Sequence, residues 1–268
     1  MYSVSFATAE SVDDAVSRLK NDPDAKLISG GMTLLPTMKF RLANPSELVD
    51  LLPIMGLSGI SIESDKVSIG ATARHTDVAN HSALITSLPA LAKLAGGIGD
   101  AQVRNRGTIG GSVANNDPAA DYPAALLALG ATVRTDRREI SAESFFVDMF
   151  ETALADDEVI TAVDFPIPDY ANYVKFPNPA SRYAIVGVFV AKFGENVRVA
   201  ITGAAPCVCR FSDAEKALTQ HFHADALNDL SYPADDLNED LHASAVYRAH
   251  LIPVLAKRAV TGDGPPKL

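Results

Sequence analysis

The chain has 268 residues, of which 47% are hydrophobic and 21% are charged, and its formal net charge is -10. This length allows one large or two moderate domains with hydrophobic cores, and the composition is typical of soluble globular proteins. A surface that binds nucleic acid needs clustered Lys and Arg, so the acidic balance argues against one. No apolar run reaches the roughly 18 residues of a membrane span, and the N-terminus lacks the basic and apolar regions of a secretory signal. We therefore expect a cytoplasmic location.

The first fifty residues have the pattern of a compact βαβ-type unit. An alternating segment precedes apolar residues at helical spacing, for which Thr8 or Ser11 is the expected N-cap. A short apolar run, Lys26–Ile28, then leads into Ser-Gly-Gly-Met-Thr. The pattern predicts strands at 2–6, 26–28 and 48–52 and helices at 12–19 and 34–42.

The middle of the chain begins with short alternating runs separated by Ser-Asp, which predict a hairpin over 60–71. Thr76 is the expected N-cap of the helix that follows, with Asp77 in its first turn. Glycines between 96 and 99 then interrupt the helical pattern. After the hairpin, the pattern predicts helices at 76–88, 89–94 and 121–129 and strands at 131–135 and 158–165.

Pro166 and Pro168 mark the clearest domain boundary, because prolines end regular elements. Beyond it, Gly194-Glu195-Asn196 joins two β runs and is typical of a hairpin. We predict one domain at 1–168, with subdomains of about 1–55 and 56–168, and a second at 169–268. The second domain is predicted to hold strands at 183–193 and 197–202 and helices at 213–222 and 243–260.

Two short segments share a pair of adjacent glycines with Ser and Thr at the ends: residues 29–33 are SGGMT, and residues 108–112 are TIGGS. Paired glycines allow positive φ and close approach of another molecule, and successive exposed N–H groups suit an anion such as phosphate. Two such loops predict one elongated, phosphate-bearing ligand held at two places. The alternative is a pair of ordinary tight turns. The chain has neither G-x-G-x-x-G nor a P-loop, which argues against a Rossmann dinucleotide site and a P-loop NTPase.

Side chains suited to acid–base or nucleophilic catalysis do not form a recognisable set. The six histidines are not in a metal-ligand spacing, and G-x-S-x-G is absent. Cys207 and Cys209 are expected to be reduced, because a disulfide between such near neighbours would be strained. Nothing nearby completes the ligand set of zinc or an iron–sulfur cluster, so structural thiols are favoured over a metal site. The pattern indicates a protein whose chemistry comes from a cofactor.

Residues 99–131, GDAQVRNRGTIGGSVANNDPAADYPAALLALGA, resemble the second flavin-binding motif of the FAD subunits of molybdenum hydroxylases. Residues 29–51, SGGMTLLPTMKFRLANPSELVDL, resemble the first FAD motif of the same family, which includes the carbon monoxide dehydrogenase medium chain and the xanthine dehydrogenase FAD-binding subunit. The resemblance covers residues 6 to about 260. It implies an α+β fold: a two-subdomain FAD-binding domain of the PCMH/vanillyl-alcohol-oxidase type, then a smaller α+β domain with an antiparallel sheet and helices.

The resemblance also implies which residues hold FAD. The diphosphate would lie against both glycine segments, Asp121 would accept hydrogen bonds from ribitol or ribose hydroxyls, and Tyr183 would stack near the isoalloxazine ring. Asp121 could instead be a helix N-cap, and Tyr183 could instead pack in the core. Arg104 and Arg106 could steady the cofactor or a partner, or be solvated. The expected cofactor-binding residues are Ser29, Gly30, Gly31, Met32, Thr33, Thr108, Gly110, Gly111, Ser112, Asp121, Ile160 and Tyr183.

Three residues depart from the family pattern. Met32 stands where the family often has a polar residue, and Asn115 and Asn116 stand where His-Ala is common. The first change removes one possible phosphate donor. The asparagines would change the side chain nearest the flavin edge.

The resemblance implies an FAD-binding electron-transfer subunit of a multi-subunit molybdenum hydroxylase. A large molybdopterin-binding subunit and a small [2Fe–2S] subunit would supply the molybdenum-pterin cofactor and the clusters, as a dimer of heterotrimers. Electrons would pass from the [2Fe–2S] clusters through FAD to an external acceptor. One alternative is a self-contained FAD-dependent oxidoreductase with its own substrate pocket. Another is a scaffold whose FAD site has decayed, against which the intact glycine pairs argue.

Overall fold

The N-terminal part of the chain folds as a three-stranded parallel sheet with two helices. The computed structural model describes residues 2–262, so the end of the predicted second domain, 263–268, lies outside the described residues. The elements are β1 (Ser5–Thr8), α1 (Val12–Asn21), β2 (Lys26–Ile28), α2 (Leu34–Lys39) and β3 (Glu47–Asp50). β3 pairs with both other strands in parallel, in the order β1-β3-β2, which confirms the predicted βαβ-type unit.

Local chemistry fixes the ends of these two helices. Ser11 is the N-cap of α1, because its side chain accepts a hydrogen bond from the N–H of Asp14 at 3.1 Å. Of the two predicted caps, Thr8 is therefore wrong. Helix α2 ends at Lys39 and not at Leu42, and Arg41 takes a left-handed backbone conformation with φ of 61° that no helix continues.

The second part of the chain is an antiparallel sheet covered by short helices. Its strands are β4 (Ile60–Ile62), β5 (Lys66–Gly70), β6 (Thr132–Thr135), β7 (Glu139–Ser141) and β10 (Ile160–Pro166). They lie in the order β4-β5-β10-β6-β7, so β10, the last of these strands in the sequence, is the central strand of the sheet. The predicted hairpin at 60–71 and the strands near 131–135 and 158–165 are confirmed.

The helices of this part share one apolar core with that sheet, and the helix over residues 122–129 is buried along its whole length. A short ribbon of two strands, β8 and β9, follows the last helix. The elements are α3 (His75–Asn80), α4 (Ser82–Ser87), α5 (Pro89–Gly96), α6 (Ala101–Arg106), α7 (Ile109–Asn115), α8 (Tyr122–Leu129), α9 (Ala142–Phe145), β8 (Phe146–Asp148) and β9 (Glu151–Thr152).

The single helix predicted at 76–88 is wrong in detail, because the chain forms two helices there. His81 lies between them in an extended conformation, and its Nδ1 accepts a hydrogen bond from the N–H of Leu84 at 3.3 Å. Thr76 is not the cap of the first helix. Arg74 occupies that position, and its N–H donates to the Asp77 carboxylate at 3.2 Å.

The second glycine segment was predicted as a loop, and this prediction is wrong. Thr108 is the N-cap of α7, with its hydroxyl accepting from the N–H of Gly111 at 3.2 Å. Gly110 and Gly111 therefore lie inside the first turn of a helix, and neither has positive φ. Gly110 is required by packing, because a β-carbon there would lie 2.6 Å from the Ala71 carbonyl oxygen.

The C-terminal part is a four-stranded antiparallel sheet with helices on one face. Gly194, with φ of 57°, forms the predicted hairpin turn between the strands at 184–193 and 196–202. Apolar residues on the other face join the core of the second part of the chain, next to α8. The elements are β11 (Tyr170–Pro177), β12 (Ala184–Phe193), β13 (Asn196–Thr202), β14 (Cys209–Arg210), α10 (Ser212–Gln220), a 3₁₀ helix (Ala224–Leu227) and α11 (Ala245–Thr261).

The predicted α+β fold class is confirmed: a mixed part of two sheets is followed by an antiparallel sheet with helices. None of the helices in residues 2–262 is long and apolar enough to cross a bilayer. Cys207 and Cys209 are free thiols. Within the same range, no group of three or more His, Cys, Asp or Glu residues is placed to hold a metal ion.

Candidate functional site

One cleft of about 900 Å³ runs between the N-terminal sheet, the start of α7 and the turn that joins β11 to β12. Segments far apart in the sequence meet in its walls. The cleft is lined by every residue that was predicted to bind the cofactor: Ser29, Gly30, Gly31, Met32, Thr33, Thr108, Gly110, Gly111, Ser112, Asp121, Ile160 and Tyr183.

The first glycine loop presents free backbone donors to this cleft. Gly31 has φ of 69°, a left-handed conformation that favours glycine. Among the described residues, none accepts a hydrogen bond from the N–H groups of residues 30–33. Consecutive free N–H groups in a turn suit an anion, and a diphosphate can be held by them without a paired lysine. This segment fits the prediction of an anion cradle.

The second segment offers hydroxyls and not backbone donors. The N–H groups of Ile109 and Gly110 are already bonded to the carbonyl oxygens of Ala73 and Ala71, at 3.0 and 2.8 Å. The prediction of a second cradle made of exposed N–H groups was therefore wrong. Thr108 accepts from Gly111 and keeps its own proton for donation. Gly111 is exposed on the cleft, so another molecule can approach its backbone closely.

Asp121 lies buried in the cleft wall, with 4% of its surface exposed. It does not cap α8 through its side chain. Its carboxylate accepts a hydrogen bond from the Tyr173 hydroxyl at 2.6 Å and lies 2.9 Å from the Lys175 ammonium. Burial raises the pKa of Asp121, and the charge of Lys175 and the bond from Tyr173 act in the opposite direction. Asp121 is thus an ion-paired carboxylate that joins the C-terminal sheet to the cleft.

The two β11 residues that hold Asp121, Tyr173 and Lys175, were not predicted from the sequence. The only signal was a lysine in the middle of the largely apolar stretch YANYVKF. Lysines are rarely buried unless they are paired, so this position called for an acidic partner. Nothing in the sequence says which of the chain's acidic residues that partner is.

Tyr183 stands at the mouth of the cleft, in the turn before β12, and 45% of its surface is exposed. The alternative that it packs in the core is therefore wrong. Ile160, the first residue of β10, is buried in the cleft wall. Whether either residue contacts a cofactor stays a prediction.

Three side chains of the cleft have buried polar atoms without a partner among the described residues; of these residues Ser29 was predicted, whereas His75 and Thr72 were not. His75 is 4% exposed and Thr72 is 3% exposed. His75 Nδ1, Thr72 Oγ1 and Ser29 Oγ have no hydrogen-bond partner in residues 2–262. Burial, and secondarily the charge of Arg104, lowers the pKa of His75 to about 4, so its ring is neutral at pH 7. A hydroxyl changes rotamer at low cost and can turn toward a bound molecule.

The residues that depart from the family pattern have different surroundings. Asn115 and Met32 line the cleft, whereas the amide of Asn116 donates to the carbonyl oxygens of Asp148 and Glu151, both at 2.8 Å. Asn116 is also the left-handed residue that ends α7, with φ of 42°. Asn116 is therefore a structural residue.

Arg104 and Arg106 also serve the fold. The Arg104 guanidinium donates to the carbonyl oxygens of Ile98 and Gly99, at 3.0 and 2.9 Å, and so orders the glycine segment before α6. The Arg106 carbonyl lies against Gly30. The Arg106 side chain is exposed and makes no hydrogen bond or ion pair within residues 2–262, in agreement with the solvated alternative, whereas the bonds of Arg104 were not predicted.

Comparison with known proteins agrees with this geometry. The family model described as the FAD binding domain in molybdopterin dehydrogenase matches residues 2–168. The nicotine 6-hydroxylase medium subunit of Paenarthrobacter nicotinovorans is 34% identical, over 97% of both chains. The carbon monoxide dehydrogenase medium chain of Hydrogenophaga pseudoflava is 35% identical, over 95% of both chains.

Solved structures give the same answer. A chain of the reconstituted CO dehydrogenase from Oligotropha carboxidovorans superposes with a TM-score of 0.89, at 30% identity and 97% coverage of both chains. The match of the family model extends over more than half of this chain and includes both glycine segments. The chain therefore belongs to the FAD-binding medium subunits of the molybdenum hydroxylase family, which are parts of multi-subunit oxidoreductases.

Proposed function

We propose that this chain is the electron-transfer subunit of a molybdenum hydroxylase, in which electrons from [2Fe–2S] clusters of a partner subunit pass through FAD to an external acceptor. The proposal rests mainly on one observation: the free N–H groups of residues 30–33 and the exposed backbone of Gly111 line the same cleft. Such a cleft suits the diphosphate of a dinucleotide.

Different residues of the cleft would bind different parts of FAD. The N–H groups of the first loop and the hydroxyls of Thr108 and Ser112 would hold the diphosphate, and the carboxylate of Asp121 would accept from ribitol or ribose hydroxyls. The backbone of Ile160 would line the site, and Tyr183 would cover the isoalloxazine ring. The bound cofactor supplies the redox chemistry, and the chain's own residues bind, orient and shield it.

The partners would be a large molybdopterin-binding subunit, which holds the molybdenum-pterin cofactor, and a small [2Fe–2S] subunit. We place the complex in the cytoplasm as a dimer of heterotrimers, and divide this chain into a 1–168 FAD-binding domain and a 169–268 domain. Relatives are named for nicotine, carbon monoxide and glyceraldehyde. Medium subunits of one fold thus accompany different substrates, which supports substrate selection by the molybdenum subunit.

The first experiment is the visible absorbance spectrum of the protein purified from its native host, untagged and at low salt. We expect a flavin spectrum with additional iron–sulfur absorbance and larger co-purifying chains. Flavin alone, bleached directly by substrate, would favour a self-contained oxidoreductase. Absence of flavin even after incubation with FAD would overturn the assignment of the cleft.

A further inference from the structure

We infer that Lys175 is a positioning residue, which fixes the turn that carries Tyr183 over the cleft. The inference rests on the proposed function, because it assumes that the Tyr183 ring covers the flavin. It concerns a residue of β11 that does not itself line the cleft.

The Lys175 ammonium uses its donors on three different segments. Nζ lies 2.9 Å from a carboxylate oxygen of Asp121, and it donates to the carbonyl oxygens of Gly97 and Arg182, each at 2.9 Å. An ammonium has three protons, so the three contacts exhaust its capacity. The side chain is 11% exposed, and a buried ammonium without partners would be costly. The lysine is therefore held in one position by the charge of Asp121.

The bond to Arg182 bears directly on Tyr183, because that carbonyl belongs to the peptide group joining the two residues. A peptide group is planar, so holding its oxygen restricts where the next Cα and its side chain point. Arg182 has φ of 64°, a conformation that costs energy for a residue other than glycine. Such a conformation persists only where surrounding contacts enforce it, and the Lys175 bond is one such contact.

Most other backbone hydrogen bonds of the turn stay within it; the exception within residues 2–262 is the Ala184 N–H, which donates to the Ala119 carbonyl at 3.3 Å. Asn178 accepts the N–H of Arg182 at 2.8 Å through its carbonyl, and its side chain accepts the N–H groups of Ala180 and Ser181. These bonds shape the turn without attaching it to the cleft. The Arg182 guanidinium reaches Gly99 only at 3.4 Å, a poor hydrogen bond. Lys175 is thus the strongest side-chain link between the turn and the wall that holds Asp121.

The test compares variants of the full chain loaded with FAD, by the flavin fluorescence per bound FAD and by FAD affinity. An aromatic ring stacked on a flavin quenches its fluorescence. We expect Lys175→Met to raise the fluorescence several-fold, to the level of Tyr183→Leu. The variant that combines Lys175→Met with Tyr183→Leu should show no further increase in fluorescence, since both changes remove the same ring from the flavin. Free N–H groups of the first loop remain, so Lys175→Met should still bind FAD.

The matched control is Lys192→Met, which removes a lysine of β12 in the same sheet. Its ammonium lies over the Phe222 ring, away from the turn, and this variant should keep wild-type quenching. Because Lys175→Met leaves a buried carboxylate unpaired, Lys175→Met with Asp121→Asn is the second variant. It removes the charge penalty and should show the same loss of quenching per bound FAD, while binding FAD more weakly because it also removes the carboxylate proposed to accept from the cofactor hydroxyls.

The outcomes separate this inference from the proposed function. Wild-type quenching in both Lys175 variants, with Tyr183→Leu unquenched, would overturn the positioning role alone. An additive increase in fluorescence when Lys175→Met is combined with Tyr183→Leu would also overturn the positioning role, because it would mean that Lys175 does not act through Tyr183. A wild-type chain that never holds FAD would overturn the proposed function, and the inference would fall with it.

Discussion

Gly30 lies directly against the backbone carbonyl of Arg106. A β-carbon on Gly30 would overlap that carbonyl oxygen and would lie 2.7 Å from the Cα of Gly107. The loop after β2 thus touches the segment between α6 and α7, across one end of the cleft. Backbone cannot move aside as the end of a side chain can, so this contact sets the distance between the two walls.

Gly30→Ala should therefore push the two walls apart. We expect destabilisation of about 1–3 kcal/mol, as for other overpacked sites, together with weaker FAD binding. The measurement is thermal unfolding with and without FAD. Gly59→Ala is the control, because a β-carbon there would meet nothing within 4 Å. A Gly30→Ala protein with wild-type stability and affinity would mean that the contact does not set the cleft.

Gly111→Val should lose FAD while keeping the fold. Apart from the backbone of its own helix, an added β-carbon would meet within residues 2–262 only Thr108 Oγ1, at 3.0 Å, and the residue is exposed on the cleft. A branched side chain would fill the space where the cofactor meets the backbone, and we expect affinity to fall at least about tenfold, or ~1.4 kcal/mol. Flavin content after purification checks this. Wild-type content would sink the assignment of this segment.

Gly110→Ala, at the neighbouring position, should affect the stability of the fold and not the cofactor site directly. Its added β-carbon would lie 2.6 Å from both the side chain and the carbonyl oxygen of buried Ala71. We expect this variant to lower the unfolding temperature, with loss of FAD only as a consequence of unfolding. Circular dichroism during heating distinguishes the two neighbouring glycines.

Tyr183→Phe should keep FAD and its quenched fluorescence. The proposed role belongs to the aromatic ring, and among the described residues the Tyr183 hydroxyl makes no hydrogen bond. Equilibrium titration with FAD measures the effect, which we expect to be below about 0.5 kcal/mol. A large loss of affinity would show that the hydroxyl holds the cofactor.

His75 should make the fold sensitive to mild acid. Its pKa is lowered from 6.5 to about 4 in the folded chain, so below pH 6.5 the unfolded chain takes up a proton that the folded chain refuses. Stability from this group is complete above pH 6.5 and is lost as the pH falls toward 4, by up to about 3 kcal/mol. Urea unfolding at neutral pH and at about pH 4.5 measures the loss.

His75→Gln should lose less stability over the same pH range, because it does not titrate. The other acidic groups are common to both proteins and cancel in the comparison. Equal losses in the two proteins would show that the folded His75 titrates normally.

Sequence patterns predicted the elements whose signals are local. The hairpin around Gly194 and the strands predicted at 26–28 and 158–165 depend on neighbouring residues and are confirmed, the second with bounds of 160–166; of the two predicted N-caps of the first helix, Ser11 is confirmed. All twelve residues predicted to bind the cofactor line one cleft, and their contacts with FAD stay predictions.

Tertiary contacts decided what the sequence could not. Paired glycines weaken a helix, so TIGGS reads as a loop, yet the Ala71 and Ala73 carbonyls bind the first N–H groups of α7 and hold the turn in place. The ion pair of Asp121 with Lys175 joins the residue before α8 to β11, and no periodicity of the sequence indicates it. A long helical pattern likewise gave no sign of the break at His81.

The central position of β10 has a consequence for folding during synthesis on the ribosome. Two hairpins, β4–β5 and β6–β7, are synthesised first, and each leaves an edge open for the strand that will lie between them. At about 5–20 residues per second, the ribosome leaves the β5 edge open for seconds. Open edges invite pairing with other chains. Nascent chains stalled before residue 160 should therefore need chaperones and aggregate without them, whereas chains that have released β10 should not.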